Sequence, residues 1–172
     1  RDLLAQALDG RVKPPHRLVL TELWCQIDSL DDTMARFDAQ SQAICGPFDE
    51  AVERLDPIPG AARRTAEMIV AEIGTDMTRF PSADHLASWA GVAPGNHESA
   101  GTRTSGKTRK GNRCLRTTLV QAAHAAARTK GTYLSAQYRR LAARRGNKRA
   151  ILAVAHSMLV MAYDMMQRQE PY

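Results

Sequence analysis

The residues best suited to chemistry lie in a polar stretch near the middle of the chain. Ser99 directly follows His97 and Glu98, and Ser105 lies further along the same stretch. A serine hydroxyl is a weak nucleophile, and it needs a base or a strongly charged site to activate it. On residue type alone, either serine could attack a phosphodiester, or both could be ordinary loop residues that bind phosphate. His97 and Glu98 are either helpers that orient or deprotonate Ser99 or exposed loop residues.

Attack on a phosphodiester also needs cations around the non-bridging oxygens, and the same stretch supplies them. Six cations follow Ser99 here: Arg103, Lys107, Arg109, Lys110, Arg113 and Arg116. Glycines lie between them and allow close approach of the backbone to a ligand. We name residues 91–116 the basic loop. It is either a flexible surface linker or a site that binds a polyanion.

The charge distribution favours a polyanion as partner. Residues 101–150 contain fourteen Lys and Arg residues and no Asp or Glu, in a chain whose formal net charge is +6. Most protein surfaces mix both signs of charge, so a block of one sign indicates a phosphate-rich partner. The alternative is a solvated helical face. We expect DNA or RNA.

Metal-assisted chemistry has less support. Two-metal nuclease sites need several converging carboxylates, whereas the acids here fall on expected helix surfaces. His124 and His156 lie in apolar helical stretches, where we expect core histidines. The three cysteines are far apart and show no metal-type spacing, which favours a reducing, cytosolic compartment. We predict no metal ligand in this chain, and no apolar run suggests a membrane span.

The first part of the chain carries a heptad pattern. Its apolar positions are Leu20, Leu23, Ile27, Leu30, Met34, Phe37 and Ile44, with Ser41 at the remaining position. Alternating steps of three and four residues are typical of a coiled coil. We predict that residues 1–46 form a coiled-coil arm that assembles a dimer or tetramer. A seam packed on its own domain is the alternative.

The remaining chain predicts a compact helical domain at residues 47–172. Apolar periodicity and caps predict helices at about 48–55, 62–73, 83–90, 112–129, 133–143 and 148–167. The last is apolar nearly all round and is expected to be the core helix. Leu86 and Trp89 are expected to be buried. No strand is predicted, so the fold class is all-α.

A turn between two of these helices is similar to a helix-hairpin-helix element, which binds DNA phosphate through backbone amides. The usual pattern is Pro-Gly-Ile-Gly, and the chain reads Pro-Gly-Ala-Ala at residues 59–62. The second glycine is missing, so a plain helical turn remains an equal alternative.

Several motifs together resemble the C-terminal domain of the insertion-sequence one-ten family of bacterial transposases. They are Leu-Ala-Ser-Trp-Ala-Gly at residues 86–91, Pro94, Ser99, a lysine-arginine run, and Gly-Asn-Arg-Cys-Leu-Arg at residues 111–116. The resemblance covers residues 55–167. It implies that Ser99, five residues after the proline, attacks DNA and forms a covalent phosphoserine. The family often has Ser-Gly-Gly where this chain has Ser-Ala-Gly.

The resemblance also implies a nucleic-acid-binding role for a set of loop residues. They are Arg103, Lys107, Arg109, Lys110, Asn112, Arg113 and Arg116. Family members carry a RuvC-like N-terminal domain with four acids and bound Mg²⁺, and no counterpart appears in these residues. The chain begins at Arg1 without a methionine, so we expect a missing segment before it. Because the Mg²⁺ belongs to the RuvC-like domain, we expect no cofactor in the chain itself. Some family members are directed by a bridge RNA, so we expect a guide RNA as partner and a nucleoid-associated location in the bacterial cytoplasm.

The leading interpretation is the serine-bearing part of a DNA transposase or recombinase, inactive without its RuvC-like domain. The alternative is a helical nucleic-acid-binding and dimerisation module in which Ser99 only contacts phosphate. A third interpretation is a purely structural oligomerisation segment, which predicts no binding of DNA or RNA.

Overall fold

The computed structural model describes residues 10, 12–95, 97–99, 101–106 and 108–170, and the side chains of 97–99 and 102–105 lie outside this description. The helices in it are α1 (Pro14–Cys45), α2 (Asp49–Leu55), α3 (Arg63–Ile73), α4 (Ala83–Ala90), α5 (Arg113–Arg128), α6 (Tyr133–Arg145) and α7 (Asn147–Arg168). Single 3₁₀ turns cover Gly46–Phe48 and Met77–Arg79. The all-α prediction is confirmed. Two short strands, β1 (His97–Ser99) and β2 (Thr102–Ser105), are an addition that the sequence did not predict.

The chain divides into two compact units, the first ending at Gly46 and the second beginning at Pro47. Helix α1 makes up most of the first unit. Pro14 and Pro15 occupy its first turn. Backbone N–H groups there have no partner within the helix, so a proline loses no hydrogen bond, and its fixed φ suits the helix. None of the 32 residues of α1 is buried. The heptad residues are therefore exposed, and whether α1 forms a coiled coil stays a prediction.

Helix α7 is the core of the second unit, as its all-round apolar sequence predicted. It packs against α2, α4, α5 and α6. Its methionines 158, 165 and 166 are buried, and they fill the space between these helices. By length and composition α7 could also cross a membrane, but 56% of its apolar window is buried inside the unit. Burial among helices accounts for its composition.

The turn between α2 and α3 is fixed from two sides. Arg63 bonds Asp49 at 2.5 Å and Glu67 at 3.0 Å, and these bonds raise the pKa of its guanidinium. Gly60 has φ of +87°, and a Cβ there would lie 2.5 Å from the Ala122 carbonyl oxygen and the Ala126 nitrogen. This glycine therefore permits close packing of the turn on α5. Phosphate binding by the turn remains a prediction.

Two burial predictions were wrong. His124 is exposed on α5, because the buried stripe of that helix passes through Ala122, Ala123 and Ala126 instead. Trp89 is 42% exposed, although Leu86 on the same helix is fully buried. Trp89 lies near the end of α4, where the chain leaves the core for the basic loop. His156 is half-buried and lines a cleft.

Candidate nucleic-acid interface

The two ends of the basic loop are held together at one point. Helix α4 ends at Ala90, and Gly91 caps it in a left-handed conformation with φ of +74°. Its backbone touches Gly111, where an added Cβ would lie 2.5 Å from the Trp89 carbonyl oxygen. Asn112 then donates its backbone N–H to that carbonyl at 3.1 Å. The loop therefore leaves and re-enters the helical core across a glycine–glycine contact that larger residues would not permit.

Asn112 anchors the returning end of the loop. Its side-chain oxygen caps α5 by accepting from the Leu115 backbone N–H at 3.0 Å. Its amide nitrogen donates to Glu72 on α3 at 2.6 Å. Sequence reasoning assigned Asn112 to nucleic-acid binding. These contacts use its side chain within the domain, which favours a positioning role for the first turn of α5.

Four of the predicted phosphate-binding cations have described side chains near this anchor. Arg109, Lys110 and Arg113 are exposed, and Arg116 is half-buried. The side chain of Arg103 and the whole of Lys107 lie outside the described residues, so the structure does not test them. The four described cations follow one another from the returning end of the loop into the first turns of α5. The exposure of Arg109, Lys110 and Arg113 leaves them available to backbone phosphates.

Trp89 is a surface residue that sequence reasoning missed. It lines an open depression of about 680 Å³ together with His85, Ser88, Arg109 and Lys110. The indole packs against Phe80 with ring centroids 5.6 Å apart and rings tilted by 57°. An exposed aromatic ring between cations can stack an unpaired base. The available signal was the position of Trp89 immediately before the loop.

Phe80 is itself held in place, and this fixes the indole. Tyr163 on α7 donates its hydroxyl to the Phe80 carbonyl oxygen at 3.0 Å. The 3₁₀ turn just before Phe80 is capped by Asp76, whose carboxylate accepts from the Thr78 hydroxyl at 2.6 Å and backbone at 2.9 Å. These bonds lower the pKa of Asp76. The aromatic pair is thus positioned by the core helix.

Ser99 and Ser105 occupy different places in a short hairpin. Strand β1 pairs antiparallel with β2, so that Ser99 lies opposite Thr102 next to the turn at Gly101. Ser105 lies opposite His97 at the other end of the pair, beside a register irregularity. The hairpin backbone thus separates the two candidate nucleophiles. It pairs His97 with Ser105 rather than with Ser99.

Metal binding has no site among the described residues. No group of three or more His, Cys, Asp or Glu side chains in that part of the chain comes together to hold an ion. Glu72, for example, is committed to Asn112 and Cys114.

Comparison with known proteins identifies similar sequences. Residues 52–139 match the model of the family described as "Transposase IS116/IS110/IS902 family". The transposase for insertion sequence element IS1111A of Coxiella burnetii is 28% identical over 163 residues, covering 92% of this chain and 44% of that protein. The insertion element IS110 uncharacterized 43.6 kDa protein of Streptomyces coelicolor is 29% identical over 149 residues, covering 82% and 36%.

A third relative is named for a different role. The pilin gene-inverting protein of Moraxella bovis is 26% identical over 147 residues, covering 82% of this chain and 45% of that protein. The chain thus spans less than half the length of each of these curated relatives. The family match begins in α2 and ends within α6, and it includes the whole basic loop.

Proposed function

The chain belongs to the IS116/IS110/IS902 transposase family, and from this we propose that it is the serine-bearing part of a DNA recombinase. The supporting observation is the anchored loop. Gly91, Gly111 and Asn112 fix both of its ends, exposed cations follow the returning end, and Ser99 lies next to the hairpin turn. The names of the relatives, a transposase and a gene-inverting protein, agree with DNA strand exchange.

In this proposal Ser99 is the nucleophile. Its oxygen attacks a DNA phosphorus atom, a serine–phosphate bond forms, and the bond from phosphorus to the leaving deoxyribose oxygen breaks. The serine proton passes to a base or water, and the leaving oxygen takes up a proton. A hydroxyl of a second DNA strand then reverses these steps and releases Ser99. Because one phosphodiester replaces another, the exchange needs no external energy source.

The cations have a defined part in that chemistry. Arg103, Lys107, Arg109, Lys110, Arg113 and Arg116 hold phosphates of the bound strand and offset the charge on the reacting group. Asn112 positions Arg113 and Arg116 by capping the first turn of α5 and bonding Glu72 on α3. His97 and Glu98 are candidates for orienting or deprotonating Ser99.

The proposal extends to the partners of the chain. A RuvC-like domain with bound Mg²⁺ completes the active site, and α1 joins copies of the protein through its exposed heptad seam. A guide RNA selects the DNA, and the basic block at residues 101–150 suits RNA as well as DNA. The setting is the bacterial cytoplasm, at the nucleoid. The turn at residues 59–62 adds a further phosphate contact.

The second candidate function is a non-catalytic binding and dimerisation module. The charge block and the exposed stripe of α1 favour it, because both features serve binding and assembly without any nucleophile. The two candidates share the nucleic-acid interface. They differ in whether a covalent bond between Ser99 and DNA ever forms.

Salt dependence tests the shared interface. Binding of a fluorescent DNA duplex is measured by anisotropy at several salt concentrations. If six to eight phosphates are neutralised, log affinity should fall by about 0.9 per contact for each tenfold rise in salt. Arg109→Ala and Lys110→Ala should each reduce that slope by about one contact. Arg168→Ala, at the exposed end of α7, is the matched control and should not. A flat salt response would refute the interface.

A further inference from the structure

A second concave surface lies where the two flanks of the hairpin meet α6 and α7. Its volume is about 660 Å³, within the range of small-molecule sites. Val92, Pro94, Gly106 and Thr108 contribute the loop side, so the cleft adjoins the segment that carries Ser99. Leu141 and Leu152 contribute apolar walls from the helices.

One buried acceptor in this cleft has no partner. The amide nitrogen of Gln137 on α6 donates to the Ser157 hydroxyl on α7 at 2.8 Å. Its Oε1 is buried, and no hydrogen bond reaches it from any described residue. An unsatisfied buried acceptor costs free energy. Gln137 is only half-buried and lines the cleft, so a rotation of its amide would present that acceptor to an N–H or O–H group of a bound ligand.

Cations complete the cleft. Arg145 ends α6 and Arg149 lies in the first turn of α7, on either side of the turn at Gly146, and both line the cleft while exposed to solvent. His156 lines it as well and is half-buried. Two guanidinium groups suit a phosphate. Apolar walls suit the face of a ring, and the free Gln137 oxygen suits a donor on the edge of a base.

We propose that this cleft binds one unpaired nucleotide of a single-stranded nucleic acid. Arg145 and Arg149 hold its phosphate, Leu141 and Leu152 contact its base, and Gln137 accepts a hydrogen bond from the base edge. A duplex hides the faces of its bases in the stack and occupies their Watson–Crick edges by pairing, so only an unpaired or extruded base can enter. The proposal rests on the nucleic-acid-binding function proposed above, and it adds a site outside the six loop cations.

The test compares short fluorescent oligonucleotides of one sequence as single-stranded DNA, single-stranded RNA and DNA duplex. Gln137→Leu removes the acceptor. It should weaken single-strand binding by about tenfold, the loss of one buried hydrogen bond, and leave duplex binding unchanged. Gln137→Leu also removes the bond to Ser157, so Ser157→Ala, which removes that bond and keeps the Gln137 oxygen, is the control and should bind single strands like the parent. Equal losses of single-strand binding in the two variants would mean that Gln137 acts only through its contact with Ser157.

Two double variants with the same loss of charge distinguish binding in the cleft from the general attraction of a basic surface. Arg145→Ala with Arg149→Ala is compared with Arg139→Ala and Arg140→Ala, two exposed α6 residues that do not line the cleft. The cleft pair should lose at least tenfold more single-strand affinity than the control pair, with equal losses on duplex. Tighter binding of RNA than DNA would identify RNA as the source of the nucleotide, and the reverse would identify DNA.

The outcomes distinguish this proposal from the one it rests on. Equal losses in both arginine pairs, or a Gln137→Leu protein that binds single strands like the parent, would overturn the cleft and leave the loop interface standing. Failure of the unaltered chain to bind any of the three oligonucleotides would overturn both.

Discussion

At the scale of single residues, Asn112 controls how the basic loop meets the helical core. Asn112→Ala removes the cap of α5 and the bond to Glu72 together. We expect a loss of about 1–3 kcal/mol in the free energy of unfolding, measured by urea titration. Asn147→Ala is the control, since Asn147 is exposed at the start of α7. Equal stability of the two variants would contradict the anchoring role.

The reactivity of Cys114 reports on Glu72, the carboxylate that also accepts a hydrogen bond from Asn112. Desolvation raises the pKa of its thiol, and the neighbouring Glu72 raises the pKa further. A raised pKa in the folded state means that the thiol contributes stability below its unfolded pKa and loses that contribution as pH rises.

Glu72→Gln removes a negative charge that raises the pKa of Cys114. The variant should therefore form more thiolate near pH 8, and alkylation of Cys114 should be faster. Mass spectrometry of iodoacetamide-treated protein measures the rate.

The matched control for that measurement is Glu67→Gln, which removes another α3 carboxylate that bonds Arg63 instead. It should leave the Cys114 rate unchanged. An unchanged rate in Glu72→Gln would mean that Glu72 does not act on the thiol.

At this scale the sequence predicts which residue types are present, but not which of them are buried. The cations and serines can be read directly from the sequence, whereas the burial of a side chain depends on how the helices are rotated against one another. The alanines around His124 predict a core position, yet three of them, Ala122, Ala123 and Ala126, form the buried stripe and turn His124 outward. The unpaired oxygen of Gln137 depends on α7 lying beside α6, which no local pattern records.

At the scale of elements, the glycine–glycine contact holds the loop. Gly111→Ala would press a methyl group against the Trp89 carbonyl and the Gly91 backbone. We expect about 1–3 kcal/mol of destabilisation, the usual range for overpacking, and weaker nucleic-acid binding as the loop shifts. Thermal unfolding and anisotropy measure the two effects.

Gly46→Ala is the control for that substitution. Gly46 has helical dihedrals, with φ of −47°, and nothing lies within 4 Å of an added Cβ. It should be neutral or slightly stabilising, because alanine restricts the unfolded chain. A Gly111→Ala protein as stable as the Gly46→Ala protein would contradict the tight contact.

The helices could be predicted closely, and the hairpin could not. Apolar periodicity defines the helices locally, and in the structure Ser82 and Thr132 cap the first turns of α4 and α6. Strands β1 and β2 consist of short polar runs without apolar alternation, so they carry no strand signal. Their pairing follows from the loop ends being held together, which depends on contacts distant in sequence.

At the scale of the whole molecule, α1 exposes a long apolar stripe. Leu30 is 62% exposed and Phe37 is 69% exposed, and none of the 32 residues of α1 is buried. Leu30→Lys should shift the protein towards monomer by placing charge in the proposed seam, while the second unit stays folded. Analytical ultracentrifugation measures the mass, and circular dichroism measures the fold.

Ala39→Lys is the control for assembly, because Ala39 lies off the heptad seam and is exposed. It should assemble like the parent protein. A parent protein that is monomeric, or two variants that assemble alike, would contradict a seam that joins copies.

The central claim, that Ser99 becomes covalently bound to DNA, is tested most directly by looking for the bond. The chain joined to its proposed RuvC-like domain is incubated with Mg²⁺, host RNA and end-labelled DNA carrying the element junction. The mixture is then denatured and separated on a gel. We predict labelled DNA attached to protein, lost in Ser99→Ala and retained in Ser105→Ala. Salt-sensitive DNA binding without any adduct, or an adduct that survives Ser99→Ala, would contradict the claim.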